Sequence, residues 1–137
     1  MKTSFDTSLL CSRLPLVLLL VSICFVLGCN SKATVTGHIT FPDGEPLTVG
    51  EIIFESDGYQ ATGRIDESGF YTLGEISPGD GIKPGEYKIR ILATTGGGSD
   101  GEPLVYFIAP KYESATTSGL TCTIKGSMVH NITVEKP

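Results

Sequence analysis

The stretch ATGRIDESGFYTLGEISPGDGIKPGEYKIRI, residues 61–91, decides the fold class of this chain. Its last segment alternates: Tyr87, Ile89 and Ile91 fall on one side of an extended chain, and Glu86, Lys88 and Arg90 on the other. A period of two with one apolar side marks a strand half buried in an antiparallel sheet. Two turns divide the stretch. In Asp66-Glu67-Ser68-Gly69 the carboxylate can accept bonds from the amides that follow it, and glycine takes a positive φ without steric cost. Pro84-Gly85 supplies the second turn, ahead of the alternating run. Three short strands and two turns specify a fold and no reaction.

The same punctuation extends outward in both directions. Residues 35–41 read as a strand with Val35, Ile39 and Phe41 on one face and Thr36, His38 and Thr40 on the other, which leaves His38 in solvent. Pro42-Asp43-Gly44-Glu45-Pro46 is a turn, and residues 49–55 form a second strand closed by Asp57-Gly58. There Ile52, Ile53 and Phe54 stand in a row, so alternation does not choose the buried face. Strands are expected at 60–65 and 70–73, then a Gly/Pro/Asp loop at 74–85 and the strand running to residue 93. TTGGGSDGEP, residues 94–103, has no apolar side chain to bury and reads as a loop. Further strands are expected at 104–108, 120–125 and 128–135, the last two around Gly126-Ser127. The spacing predicts an all-β, antiparallel β-sandwich of about seven to eight strands without helix, at roughly 100 residues a sensible size for one core.

The first thirty residues follow a different logic. Lys2 and Arg13 precede an apolar run at 14–27, shorter than the ~20 residues a membrane-spanning helix needs, which is the anatomy of a secretory signal peptide. Val26-Leu27-Gly28-Cys29 resembles the lipobox of bacterial lipoproteins: a branched residue, a small residue before the cut, and a thiol nucleophilic enough to take a diacylglyceryl group. The expected organisation is a lipoprotein signal peptide at 1–28 cleaved between Gly28 and Cys29, a lipidated N-terminus and short tether at 29–34, and the sandwich at 35–137. Asn30, after the cysteine, is compatible with export to an outer membrane.

Cleavage there leaves eight basic against fourteen acidic residues, a formal charge of −6. Such a surface repels phosphate backbones, so a nucleic-acid partner is excluded. Of four cysteines, Cys11, Cys24 and Cys29 fall in or at the end of the apolar leader, which rules out a disulfide framework. Cys122 alternates with Leu120 and Ile124 and reads as a small buried apolar side chain.

From residue 35 to residue 135 the chain resembles the carboxypeptidase regulatory-like domain, of transthyretin-like or prealbumin-like fold, in the version found as small lipoproteins of planctomycete bacteria. The residues that carry the resemblance are VTGHITFPDGEPLTVGEIIF (35–54), ATGRIDESGFYTL (61–73), PGEYKIRI (84–91) and PKYESATTSGLTCTIKG (110–126). The resemblance implies a turn-and-core framework without a catalytic site. Enzymes of this general fold that hydrolyse 5-hydroxyisourate use histidines, an arginine and a C-terminal Tyr-Arg-Gly-Ser, whereas this chain ends Thr133-Val134-Glu135-Lys136-Pro137.

No other chemistry stands out. His38 and His130 are the only histidines, neither beside a nucleophile-elbow motif, and His130 shares its phase with Met128 and Ile132, as a partly buried ring does. The aspartates next to glycine are explained by turns; Asp66 and Glu67 are the best candidates for a calcium site. An isopeptide bond would have to recruit Lys32, Asn131 and Glu51. No cofactor is expected. The leading expectation is a non-enzymatic, lipid-anchored cell-envelope protein that acts as a structural or protein-interaction module. Its partners are the membrane, through the lipid, and an envelope protein or polysaccharide. The alternative is a carbohydrate-binding module at the cell surface, with Tyr59 and Tyr112 as ligand contacts and no tryptophan to help them.

Overall fold

The alternating run at 86–91 lies inside a four-stranded antiparallel sheet. In the computed structural model, which describes residues 31–96 and 102–137, it belongs to β5, Gly85–Leu92. On one side of β5 lie β2, Glu51–Ser56, and beyond it β3, Tyr59–Arg64; on the other lies β8, Leu120–Ile124. The register sets Ile52 opposite Ile91, Phe54 opposite Ile89 and Tyr87 opposite Cys122. One face of the sheet is therefore a continuous apolar surface, as the period of two requires.

The facing sheet is built on β1, Val35–Thr40, which pairs antiparallel with β4, Phe70–Thr72. Its other side takes two short parallel partners, β9, Met128–Val129, and β10, Ile132–Thr133. The sandwich is all-β, as expected, but this pairing is parallel because the chain does not form a hairpin after β8. Residues 125–127 carry it across to the other sheet, where it runs in the direction of β1. Val35, Ile39 and Tyr71 meet Ile52, Phe54, Tyr87, Ile89, Ile91 and Ile124 between the sheets, with Leu47, Leu73, Ile82, Ile108 and Val134 in the same cluster. Each large apolar side chain so buried contributes roughly 1.5–3 kcal/mol before the entropy of ordering is counted. Ile53 is also buried, on the opposite side of β2, across from Thr62 and Arg90.

Four expectations need correction. The strands are shorter and more numerous, ten among the described residues. The strand expected at 128–135 is broken at His130 and Asn131, where side chains replace the ladder: Asn131 Oδ1 accepts from the His38 amide at 2.9 Å, and the Tyr71 hydroxyl donates to the His130 carbonyl at 2.6 Å. The apolar stretch 104–108 pairs only over β7, Val105–Tyr106, with β6, Thr94–Thr95. This two-stranded ribbon leaves Leu104, Val105 and Phe107 exposed, and only Ile108 reaches the core. A 3₁₀ turn, Pro110–Glu113, follows it, opened by a proline whose missing N–H costs nothing there. Finally, the tether expected at 29–34 is partly docked. Ala33 is buried and exchanges two backbone bonds with Ile82 at 2.7 and 2.9 Å, and the Thr34 amide donates to Ser127 Oγ at 3.0 Å. The signal segment, Gly28 and Cys29 lie outside the described residues.

The strand directions give the sandwich two ends. The chain enters at one, where residues 31–35 meet residue 82, the turn at 126–128 and the loop 74–84. At the other, Val134 bonds Thr40, and Lys136 bridges Asp43 and Glu45 at 2.6 and 2.8 Å.

Candidate functional site

β8 is an outer strand of the four-stranded sheet, paired among the described residues with β5 alone. The Ser118 hydroxyl donates to the Ile89 carbonyl, which shows that the backbone groups of Ile89 face β8. Alternation along the antiparallel pair then directs the amides and carbonyls of Leu120, Cys122 and Ile124 at β5, and those of Thr121 and Thr123 outward. An open edge of this kind can accept an extended segment of another chain by main-chain bonding.

The side chains of Thr121 and Thr123 stand on the outer face of the sheet, across from Lys88 and Glu86. Together with Glu55, Asp57 and Thr116 they line an open groove of about 690 Å³. Most of its walls are hydroxyls and carboxylates around the Lys88 ammonium, with Tyr87 and Cys122 also in the lining. That chemistry suits hydrogen bonding to a polar or cationic extended partner.

The residues singled out from the sequence do not converge. Tyr59 is half-buried at the entry end: its ring centre is 6.0 Å from that of Tyr87, the Lys83 ammonium sits 4.8 Å over its face, and its hydroxyl accepts from the Lys83 amide. Tyr112, expected as a ligand contact, is instead part of the core at 5% exposure, and its hydroxyl accepts from the Glu135 amide at the opposite end. The proline-led turn folds its ring inward, and a sugar has no face to stack on there. His38 is exposed beside Phe70, with ring centres 5.2 Å apart. His130 is half-buried edge-on to Phe54, and burial pushes its pKa below the ordinary imidazole value.

Cys122 is a buried free thiol whose pKa burial pushes up, the reverse of what a nucleophile needs. One carboxylate oxygen of Asp66 accepts from the Ser68 hydroxyl, the Ser68 amide and the Phe70 amide, and those bonds pull its pKa below the usual carboxylate range. The turn thus employs the group proposed for calcium, and no cluster of three metal-ligating side chains occurs among the described residues. Lys32 pairs with Glu75 at 2.9 Å, Asn131 with the His38 amide, and Glu51 is exposed on β2, so the isopeptide trio is not assembled. Missing from the sequence reading was the β8 edge: the alternation of threonines with Leu120, Cys122 and Ile124 assigned their faces, but nothing local tells an outer strand from an inner one.

No family model matches the chain, and neither does any curated protein. Among solved structures it is similar to the Bacillus anthracis TIE protein, at 10% identity and a TM-score of 0.44 over 77% of this chain and 17% of that one. It is similar to a DUF3823 family protein from Bacteroides ovatus, at 22% identity and a TM-score of 0.43 over 77% of this chain and 45% of that one. It is also similar to BcpA, the major pilin subunit of Bacillus cereus, at 13% identity and a TM-score of 0.49 over 78% of this chain and 31% of that one. The chain spans less than half the length of each.

Proposed function

We propose that this protein is a non-enzymatic β-sandwich of a bacterial cell envelope, held to a membrane by a lipid on Cys29, whose β8 edge and groove dock another envelope component. The observation that carries the reading is the sequence Val26-Leu27-Gly28-Cys29 standing four residues ahead of Ala33, the first buried side chain of the sandwich. A cleavage site so placed delivers a domain with an acylated first residue and almost no linker. Two or three acyl chains, at ~0.8 kcal/mol per buried methylene, make such an anchor effectively permanent.

The resemblance to carboxypeptidase regulatory-like lipoproteins of planctomycetes supports the same placement. Catalysis is left out because the candidate groups serve structure: Cys122 is buried, Asp66 holds a turn, and His130 packs on Phe54. Between the two kinds of partner, the groove favours a protein segment. The polysaccharide reading loses one of its two aromatic contacts with the burial of Tyr112.

Expression of the full-length chain in a bacterial host tests the anchor, by intact mass and detergent partitioning of wild type beside Cys29→Ser. Wild type should carry acyl mass and enter the detergent phase, and the variant should lose both. An unacylated, water-soluble wild type refutes the anchor.

A further inference from the structure

We infer that the end of the sandwich at which the chain enters rests on the lipid surface, with Ile76 set into the interface between headgroups and acyl chains. The inference builds on the proposed lipid at Cys29 and names the face that the lipid brings to the membrane.

Distance is the first argument. The chain is fixed to the domain from Ala33 onward by its two bonds to Ile82 and by the bond from Thr34 to Ser127. Lys32 is itself held, at 2.9 Å from Glu75 and 3.7 Å from Asp80. Four residue steps separate Cys29 from Ala33, which span at most about 14 Å fully extended. A lipid on Cys29 therefore keeps this end of the domain within about 14 Å of the lipid attachment point, while the strands carry the other end away.

The second argument is what stands at that end. Ile76 is 87% exposed and Val129 66%, the two most exposed large apolar side chains among the described residues. An isolated exposed apolar residue is ordinary on a protein surface. Ile76 is different because its loop is held in place: the Asp80 carboxylate accepts from the amides of Glu75, Ile76 and Ser77 at 2.7, 3.2 and 3.4 Å, and Lys32 pairs with Glu75 across the loop's base. The side chain is presented outward by a braced turn next to the point of chain entry. Val129 belongs to β9, opposite Thr36 near the start of β1.

Charge gives the third argument. Around the entry end Lys32, Lys83 and Lys125 stand against Asp57, Glu75, Asp80 and Glu86, a net of −1. At the far end Asp43, Glu45, Glu51, Asp66, Glu67 and Glu135 outweigh Arg64, Lys111 and Lys136. The acidity of the domain is thus concentrated away from the anchor. An anionic leaflet repels the far end more than the entry end, which orients the domain in the same sense as the tether.

The chain has no tryptophan, so Ile76→Trp and Glu67→Trp each place a single emitter, one at each end. Each full-length protein, shown by intact mass to be acylated, is reconstituted into phosphatidylethanolamine and phosphatidylglycerol vesicles with and without brominated acyl chains. I76W emission should shift to the blue and be quenched by brominated lipid at least twofold more than E67W, which should keep the emission of a water-exposed indole. If the proteins are acylated and float with the vesicles, but I76W stays water-exposed or both emitters are quenched alike, the orientation is overturned and the anchor stands. A water-exposed I76W would leave Ile76 to a protein partner. If no acyl mass is found, the orientation falls together with the anchor.

Discussion

Replacing Gly37 by alanine probes the joint on which the first sheet depends. Gly37 lies in the middle of β1 opposite Tyr71, and its φ is not positive, so the backbone conformation itself accepts any residue. The difficulty is space. A Cβ there would sit 2.0 Å from the His130 carbonyl oxygen, 2.7 Å from its carbon and 2.9 Å from the Tyr71 hydroxyl. Carbon and oxygen approach comfortably to about 3.3 Å, so the overlap exceeds 1 Å, and two of the three obstructing atoms are backbone. Relief requires the segment at 130–131 to move off β1. That movement gives up the bond from Tyr71 to the His130 carbonyl, the bond from the His130 amide to Thr36 and the bond from the His38 amide to Asn131. Overpacking costs about 1–3 kcal/mol and a buried hydroxyl left unpaired about 1–3 more. The expected loss is therefore about 4 kcal/mol, a fall in Tm of roughly 15–30 °C for a domain of this size. Thermal and urea unfolding of the domain, followed by circular dichroism, measure it. Gly44→Ala is the control: φ is +89° there, but nothing lies within 4 Å of the added atom, so only backbone strain of about 1–2 kcal/mol remains. A Gly37→Ala protein within about 1 kcal/mol of wild type would show that β1 does not pack on residues 128–133 as described.

Stability should fall as pH drops, in two stages. Burial holds the folded-state pKa of His130 below its unfolded value, so its contribution is complete above about pH 6.5 and declines as pH falls through that region. The carboxylates of Asp43, Asp66 and Glu75, lowered by Lys136, Ser68 and Lys32 respectively, lose theirs below about pH 4. A urea midpoint that rose between pH 7 and pH 5 would contradict the first stage, and His130→Gln should flatten it. Cys122 should resist a thiol reagent such as iodoacetamide in the folded domain and react within minutes in 8 M urea; prompt labelling of the folded domain would mean the β8 interface is open. Proline at Thr121, whose amide faces outward, should leave Tm nearly unchanged while blocking strand addition at that edge. Proline at Cys122 removes a ladder donor to β5 and should cost about 1–3 kcal/mol; a larger loss from the proline at Thr121 than from that at Cys122 would put β8 in the other phase.

The fold was readable wherever a rule is local. Tyr87, Ile89 and Ile91 are buried and Glu86 and Lys88 exposed, as their alternation requires, and Asp66 accepts the turn amides that its spacing from Ser68 and Phe70 suggested. The failures come where partners are distant in sequence or a second layer is missing. Val105 and Phe107 are apolar, but among the described residues nothing covers their ribbon. Tyr112 looked available because it follows a proline in a polar segment, and its burial depends on a core assembled from strands elsewhere. The parallel match of Thr36 with Val129 joins residues more than ninety positions apart, which no periodicity encodes. For the candidate site, the composition of β8 was apparent and its position at the rim of the sheet was not, because strand order is a property of the whole chain.

The first and last strands lie side by side and run the same way, joined from Thr34 to Met128, Thr36 to His130 and Thr40 to Val134. A mechanical load entering at residue 31 and leaving at residue 137 acts along both strands at once. It strains these bonds in shear, together, and does not peel them open one after another. Drawn between those points, the domain should yield at a higher force than when it is drawn between residues 31 and 74, which lie at the same end of the antiparallel pair, where β4 can be unzipped from β1. Under the proposed anchor, with a partner gripping the opposite end, the domain would in this way be braced along the axis of the pull.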